Sequence, residues 1–248
     1  MARTIACQSV QRTIPWSLWQ ICTAVRPSIV AIPTDTMPST ALSPSRLQHR
    51  WRNADSESRR RLIVDTSLDL LQRQGLAAVT MRRVAQRLGV GTMTLYTYIN
   101  NQESLHRRMT QRGFELLRNR CDQASTLGTP LKWRGESQAY LNFAMENPSL
   151  YKLMFDMPFA PTDEGSNTAE NELKLQGDFQ PLVDKVIAEM ANQGLRGEQL
   201  QQRAEVVVAP FWIALHGLAS LLITGHTRIL KRNLDHLLDD VLEKVAPS

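Results

Sequence analysis

The chain has 248 residues, of which 42% are hydrophobic and 21% are charged. These proportions are ordinary for a soluble globular protein, and they exclude both wholesale disorder and a fibrous design. The net charge of +5 is unevenly distributed: residues 50–120 carry 14 arginines against 6 acidic residues, net +8, whereas residues 121–248 have a net charge of −6. A basic segment joined to an acidic one predicts that the first part approaches a polyanion, of which nucleic acid is the obvious example.

Several classes of protein are disfavoured by what the sequence lacks. Its cysteines, Cys7, Cys22 and Cys121, are too few and too scattered for a disulfide framework or a zinc site, which favours a reducing cytoplasm. The sequence has no run of 18 apolar residues, so it does not predict a membrane span. We find no G-x-S-x-G motif, no metal-ligand spacing and no phosphate-binding glycine loop, so we expect neither an enzyme, nor a cofactor, nor a metal site.

Residues 1–55 contain five prolines and many serines and threonines, and no apolar period continues across them. This composition predicts a disordered leader. An alternative is that Met37 or another codon is the true start of the protein.

The helical pattern begins at Ser56. A first helix ends at Gly75 and buries one stripe with i, i+3, i+4, i+7 spacing, formed by Val64, Ser67, Leu68 and Leu71. A second, short helix starts after Thr80, a good N-cap, and ends at Gly89; its stripe is formed by Met81, Val84, Ala85 and Leu88.

A third helix, predicted from Thr92 to Ile99, follows the glycine turn almost at once and offers only Leu95 and Ile99 to a core. Asn100 or Asn101 then caps a fourth helix, which carries Leu105, Met109 and Leu116. Two short helices joined by a tight turn, the second with polar and aromatic residues facing out, are typical of a helix-turn-helix. A helix with few bulky charges fits a major groove about 12 Å wide, while hydroxyl groups bind the flanking phosphates.

The stretch TMRRVAQRLGVGTMTLYTYINNQESL, Thr80 to Leu105, resembles the DNA-binding segment of the TetR family, with L-G-V, T-L-Y and N-x-E-x-L in register. This resemblance implies that Thr92 to Ile99 is the recognition helix, with Thr92, Met93 and Tyr96 facing bases. Positions that match phosphate contacts are Thr80, Arg82, Thr94, Tyr98 and Gln102. At Gln102 the family commonly has lysine, so this chain lacks one charge-assisted contact there. The cluster Arg59, Arg60, Arg61 either steers phosphate or is a solvated helix start.

After residues 126–130 the composition shifts, and a second helical unit begins. We predict a helix that ends at Asn147-Pro148, another beyond it, and three long helices over about 173–192, 198–226 and 233–245. The stretches NFAMENPSLY and FWIALHG resemble the ligand domain of the TetR branch named for its Trp-His-Gly signature. This implies a ligand site formed by Tyr151, Met154, Phe155, Trp212 and His216. The same residues are equally suited to an ordinary core, and His216 has no metal-ligand partner on its helical face.

The sequence therefore predicts an all-α protein: a leader over 1–55, a three-helix helix-turn-helix domain over 56–118, and a helical ligand-binding and dimerisation domain over 130–248. We expect a cytoplasmic homodimer that binds a palindrome in double-stranded DNA, represses transcription, and is released by a small-molecule effector, with no membrane partner. An activator and a sequence-blind architectural DNA-binding protein are the alternatives.

Overall fold

The computed structural model describes residues 43–125, 133–155, 179–192, 200–226 and 233–245, all of which belong to one compact unit, Thr36–Ser248. Within these ranges the chain forms ten α-helices and no β-strand, which confirms the all-α prediction. Residues 1–42, which hold most of the predicted leader, lie outside the described ranges.

The first described helix, α1 (Pro44–Asn53), shows that the predicted leader was drawn too long. The backbone N–H of Arg46 donates to Ser43 Oγ at the N-cap, and Pro44 occupies the first turn, where a missing N–H costs nothing. Leu47 and Trp51 are buried in the main core. The expectation of disorder is therefore wrong for residues 44–53. Two apolar residues one turn apart are too short a signal to stand out in a proline-rich sequence.

The predicted helix-turn-helix is present as α2 (Ser56–Gln74), α3 (Met81–Leu88) and α4 (Thr92–Tyr96). Every residue of the two predicted stripes on α2 and α3 is buried. Helix α4 is shorter than the predicted Thr92–Ile99, because the chain passes into a turn after Tyr96. Leu95 and Ile99 are nevertheless both buried, so the third element is anchored as expected.

Helix α5 (Gln102–Ser125) belongs to both halves of the molecule. Asn101 caps its start, accepting a hydrogen bond of 2.7 Å from the backbone N–H of Ser104. The helix packs against α2 and also against α6 (Arg134–Glu146) and α7 (Pro148–Phe155). It continues past residue 118, where the predicted DNA-binding domain was expected to end. The boundary between the two domains is therefore crossed by a continuous helix.

The remaining helices are α8 (Phe179–Asn192), α9 (Leu200–Ile223) and α10 (Leu234–Val245), and α9 packs against α6, α8 and α10. Two of the three long predicted helices, over about 198–226 and 233–245, begin within two residues of α9 and α10. The third, over about 173–192, ends where α8 ends, and its first residues lie outside the described ranges. By length and composition alone α9 is apolar enough to cross a membrane, although core helices of soluble proteins meet the same criterion.

Candidate DNA-binding surface and ligand cavity

The turn between α3 and α4 depends on Gly89. This residue ends α3 with φ of 70°, in the left-handed region that side chains with a Cβ seldom adopt. Its backbone N–H bonds back to the last turn of α3, and α4 starts three residues later. The glycine therefore sets the angle at which α4 leaves the domain.

Helix α4 presents its base-facing candidates to solvent. The side chain of Met93 is 79% exposed and that of Tyr96 is 44% exposed, while Leu95 between them is fully buried. Thr94 is exposed, and Thr92, at the first helical position, is partly buried. A large apolar residue and an aromatic residue at the surface of a helix this well anchored indicate a binding face, because the core does not use them.

Two of the phosphate-contact candidates lie at the start of α3. Thr80 Oγ1 accepts a hydrogen bond of 3.3 Å from the backbone N–H of Arg83, which leaves its own O–H free to donate outward. Arg82 is exposed and forms no ion pair with another described residue. By contrast, Arg87 pairs with Asp69. The start of α3 can therefore donate to a phosphate through one hydroxyl and one guanidinium group.

Tyr98 has a second role that the sequence did not reveal. Its hydroxyl accepts a hydrogen bond of 3.0 Å from the guanidinium group of Arg59, and its ring meets Trp51 edge-on, with centroids 5.5 Å apart. Arg59 also donates to the carbonyl oxygen of Trp51 and lies over the indole ring. Arg59, which belongs to α2, therefore connects that helix to α1 and to the turn that follows α4. The hydroxyl of Tyr98 keeps its own proton for another acceptor.

Gln102, which stands where the family commonly has lysine, is already engaged. Its amide donates to the carbonyl oxygen of Val79 and lies 2.8 Å from His106 Nε2. Burial lowers the pKa of His106. The lowered pKa favours the neutral ring, whose Nε2 can accept a hydrogen bond from the amide. Gln102 closes the first turn of α5 onto the loop that precedes α3.

The structure brings the five predicted ligand residues to one region but packs them closely. The ring of His216 stacks on Trp212, with centroids 5.4 Å apart, and meets Phe155 edge-on at 4.7 Å. Tyr151 Oη lies 2.7 Å from His216 Nδ1. Met154 is buried against α5, where a Cβ at Gly113 would lie 2.6 Å from its sulfur. This cluster on α7 and α9 is packed side chain against side chain.

A separate cavity of about 60 Å³ lies between α5, α6, α8 and α9, and none of the five predicted residues lines it. Its wall is largely apolar; the main apolar side chains are Phe114, Leu117, Trp133, Tyr140, Phe211 and Leu215. The Ser137 hydroxyl, which is fully buried in this wall, has no hydrogen-bond partner among the described residues. Apolar pockets and ordinary cores are built from the same residue types, so the sequence does not distinguish a cavity wall from a filled core.

The polar edge of the cavity is an ion-pair group. Lys185 Nζ lies 3.1 Å from a carboxylate oxygen of Asp122 and 3.1 Å from one of Glu136. Burial alone would lower the pKa of Lys185, but the carboxylates of Glu136 and Asp122 outweigh it and raise that pKa. Burial also raises the pKa of the Cys121 thiol to about 12. The edge therefore presents paired charges and a neutral thiol.

The helix-turn-helix half and the C-terminal helices correspond to two known kinds of domain. Residues 63–109 match the family model of bacterial regulatory proteins of the tetR family. Residues 133–245 match that of tetracyclin repressor-like C-terminal domains. A helix-turn-helix joined to a helical domain of this kind defines a transcriptional regulator rather than an enzyme. The chain belongs to the TetR family. Its assignment to the Trp-His-Gly branch stays a prediction.

Individual relatives agree with this classification. The uncharacterized HTH-type transcriptional regulator Rv0681 of Mycobacterium tuberculosis is 28% identical over 169 residues, which cover 67% of this chain and 71% of that protein. The HTH-type transcriptional repressor KstR of Mycolicibacterium smegmatis is 36% identical over 98 residues, 39% of this chain and 48% of the repressor. A solved structure of a protein of unknown function from Rhodococcus sp. RHA1 covers 75% of this chain and 95% of its own, with 19% identity and a TM-score of 0.59, and shows the fold.

Proposed function

We propose that this TetR-family regulator is a dimeric repressor that reads a palindromic operator with α4 and leaves it when a small molecule binds the C-terminal helices. The observation that carries the proposal is the exposure of Met93 and Tyr96 on a helix anchored by two fully buried residues, Leu95 within it and Ile99 just beyond it. The name of the Mycolicibacterium relative, a transcriptional repressor, supports repression over activation.

The dimer is inferred from α9. An apolar stripe with helical spacing faces solvent on this helix, formed by Val206, Pro210, Ile213, Gly217 and Leu221. Val206 is 72% exposed and Ile213 is 62% exposed. Leu218 of α9 and Leu238 of α10 do not belong to this exposed stripe, because both are buried within the chain. A twofold partner that covers the exposed stripe would place two copies of α4 on one duplex.

The dimer is tested by light scattering at micromolar concentration, where we expect twice the mass of the chain. Ile213→Asp places a charge in the apolar stripe and should give a monomer. Lys152→Asp, a charge change at an exposed position on α7, should remain dimeric. A dimeric Ile213→Asp variant would contradict the assignment of this stripe.

For the effector, the cavity is a better candidate than the aromatic cluster. It has free volume, an apolar wall and one hydroxyl, Ser137 Oγ, that has no partner in the described part of the chain. These features fit a mainly apolar molecule with one hydrogen-bonding group. At roughly 15 Å³ of such space per water, about 60 Å³ holds about four waters, so a larger effector must widen the cavity. We expect movement of the cavity walls to shift the DNA-binding helices.

A continuous set of contacts leads from the cavity to the DNA-binding half. Tyr140, in the cavity wall, has its hydroxyl 2.8 Å from that of Tyr151, which lies 2.7 Å from His216 Nδ1. Tyr151 belongs to α7, and α7 packs against α2 and α5. In this scheme the predicted ligand residues transmit the displacement of Tyr140. An effector that favours a displaced α7 weakens operator binding when the operator-bound state disfavours that displacement. By reciprocity, the operator lowers the affinity for the effector by the same factor.

The DNA-reading role is tested with Tyr96→Ala. The substitution removes an aromatic face and a hydroxyl group without opening the core beneath α4, so helicity should be unchanged. A contact of this kind contributes about 1 to 3 kcal/mol per half-site, so operator affinity should fall by about 30-fold to 20,000-fold in a dimer. Binding to scrambled duplex at the same salt concentration should change much less.

Met145→Ala, which removes an exposed apolar side chain from α6, is the matched control and should bind the operator as the wild type does. Retention of full operator affinity by Tyr96→Ala would show that α4 is not the reading helix. Uniform protection of a long DNA in a footprint would instead support the architectural alternative.

The cavity is tested with two small probes, phenol and benzene, by thermal shift. Phenol should raise the melting temperature more than benzene does, because its hydroxyl group can bond with Ser137. Ser137→Ala should remove the difference between the two probes while the benzene response persists. Equal responses to both probes in the wild type would exclude Ser137 from the site.

A further inference from the structure

Helix α1 borders the helix-turn-helix turn directly. The side-chain amide of Gln48 donates to the carbonyl oxygen of Gly89 at 3.3 Å. A Cβ at Gly89 would lie 3.3 Å from the amide carbon of Gln48. At the other end of α1, Trp51 packs against Tyr98, the residue just beyond α4. Helix α1 therefore touches both the start and the end of the segment that contains the proposed recognition helix.

The two flanks of α1 face different surroundings. With 3.6 residues per turn, Gln48 and Arg52 lie one above the other on the flank next to Gly89. Arg46 and Arg50 share the opposite flank, where the positive charge of Arg50 acts on the carboxylate of Asp65 in α2. Arg52 is exposed. It is thus the arginine of α1 on the flank that continues the DNA-binding surface.

The charge of α1 is all of one sign. Residues 43–54 contain three arginines and no acidic residue, and none of these arginines forms an ion pair with another described residue. Helix surfaces normally intersperse both signs, so a helix of this charge that lies against a DNA-reading turn complements a polyanion.

We propose that α1 is an accessory DNA-binding element, in which Arg52 contacts a backbone phosphate of the same duplex, outside the bases that α4 reads. The inference rests on the proposed function, since it takes α4 as the recognition helix. Arg59 holds the last turn of α1 in place by donating to the carbonyl oxygens of Trp51 at 3.1 Å and of Arg52 at 3.5 Å. The backbone that carries the Arg52 side chain is therefore fixed before DNA binds.

The test is the salt dependence of operator binding by the full chain. Each phosphate contact contributes about 0.9 to the slope of log K against log salt, so Arg52→Gln should lower the slope by about 1.8 in a dimer. When the salt concentration rises from 50 to 200 mM, the fold-loss of affinity should then be about 12 times greater for the wild type than for the variant. Arg50→Gln, the same change on the opposite flank, is the matched control and should leave the slope unchanged. Arg52→Lys should restore most of it.

The outcomes separate the two proposals. An unchanged slope in Arg52→Gln, with operator binding still lost in Tyr96→Ala, would overturn the role of α1 and leave α4 as the reading helix. Equal reductions in Arg52→Gln and Arg50→Gln would show diffuse attraction, which also overturns a specific contact. Wild-type operator binding by Tyr96→Ala would overturn the proposed function itself. Circular dichroism of each variant, with a melting temperature equal to that of the wild type, excludes loss of the fold.

Discussion

Replacement of Trp51 by alanine tests whether α1 is an integral part of the fold. The indole ring is buried, it meets Tyr98 edge-on, and the guanidinium group of Arg59 lies over it at 5.6 Å. Truncation of a buried Trp or Phe to alanine costs about 3 to 5 kcal/mol, which includes the cavity left behind. We therefore expect Trp51→Ala to lower the free energy of unfolding by about 3 to 5 kcal/mol.

The measurement is urea unfolding followed by circular dichroism, at one protein concentration because a dimer unfolds in a concentration-dependent way. For a chain of this size each kcal/mol corresponds to about 2 to 4 °C, so the melting temperature should fall by about 6 to 20 °C. Trp51→Phe keeps an aromatic edge against Tyr98 and should cost less than about 1.5 kcal/mol. Unfolding of Trp51→Ala at the wild-type urea midpoint would refute the packing of α1 against the helix-turn-helix.

Three further expectations concern single side chains. Ser137→Ala should raise the free energy of unfolding by about 1 kcal/mol, measured in urea, because it removes a buried hydroxyl for which the described residues offer no partner; a loss of similar size would show that the hydroxyl is bonded. In a chain with Cys7→Ser and Cys22→Ser, the Cys121 thiol should react with a thiol reagent at pH 8 far more slowly in the folded than in the unfolded protein. Its pKa rises from 9.0 to about 12 on folding, so this thiol contributes stability below pH 9 that is lost as the pH rises toward 12; equal labelling rates would contradict its burial. Gln102→Lys should steepen the salt dependence of operator binding by about 0.9 per protomer, and an unchanged slope would place this residue away from the phosphates.

The helix-turn-helix could be predicted closely, apart from the end of α4, because local signals agree there. The N-cap at Thr80, the stripes of α2 and α3, and the glycine turn at Gly89 each specify the same arrangement. Helix α1 could not be predicted in this way. Its stability comes from contacts of Gln48 and Trp51 with residues 41 and 47 positions further along the chain, and a sequence period does not report such contacts.

The ligand site stays a prediction, and the cavity beside it could not be predicted for a different reason. The aromatic residues of α7 and α9 do assemble as the motif implied, but the free volume lies beside them. A cavity is the space that side chains fail to fill, so it depends on how four helices pack and not on the composition of any one of them. Ser137 and Lys185 are polar residues of helices whose other faces are buried, and only the assembled structure places them at the same opening.

The passage of α5 through both halves of the molecule constrains how mutations should alter regulation. At 1.5 Å per residue this helix of 24 residues is about 36 Å long, and it has no linker at which the two halves could move independently. Gly113 lies midway along it, where a Cβ would meet Met154 and Leu150 of α7. A larger residue there would press α7 away from α5 without touching DNA or effector. Genetic screens for regulators locked in one state should therefore recover changes at this crossing as well as in the two binding sites.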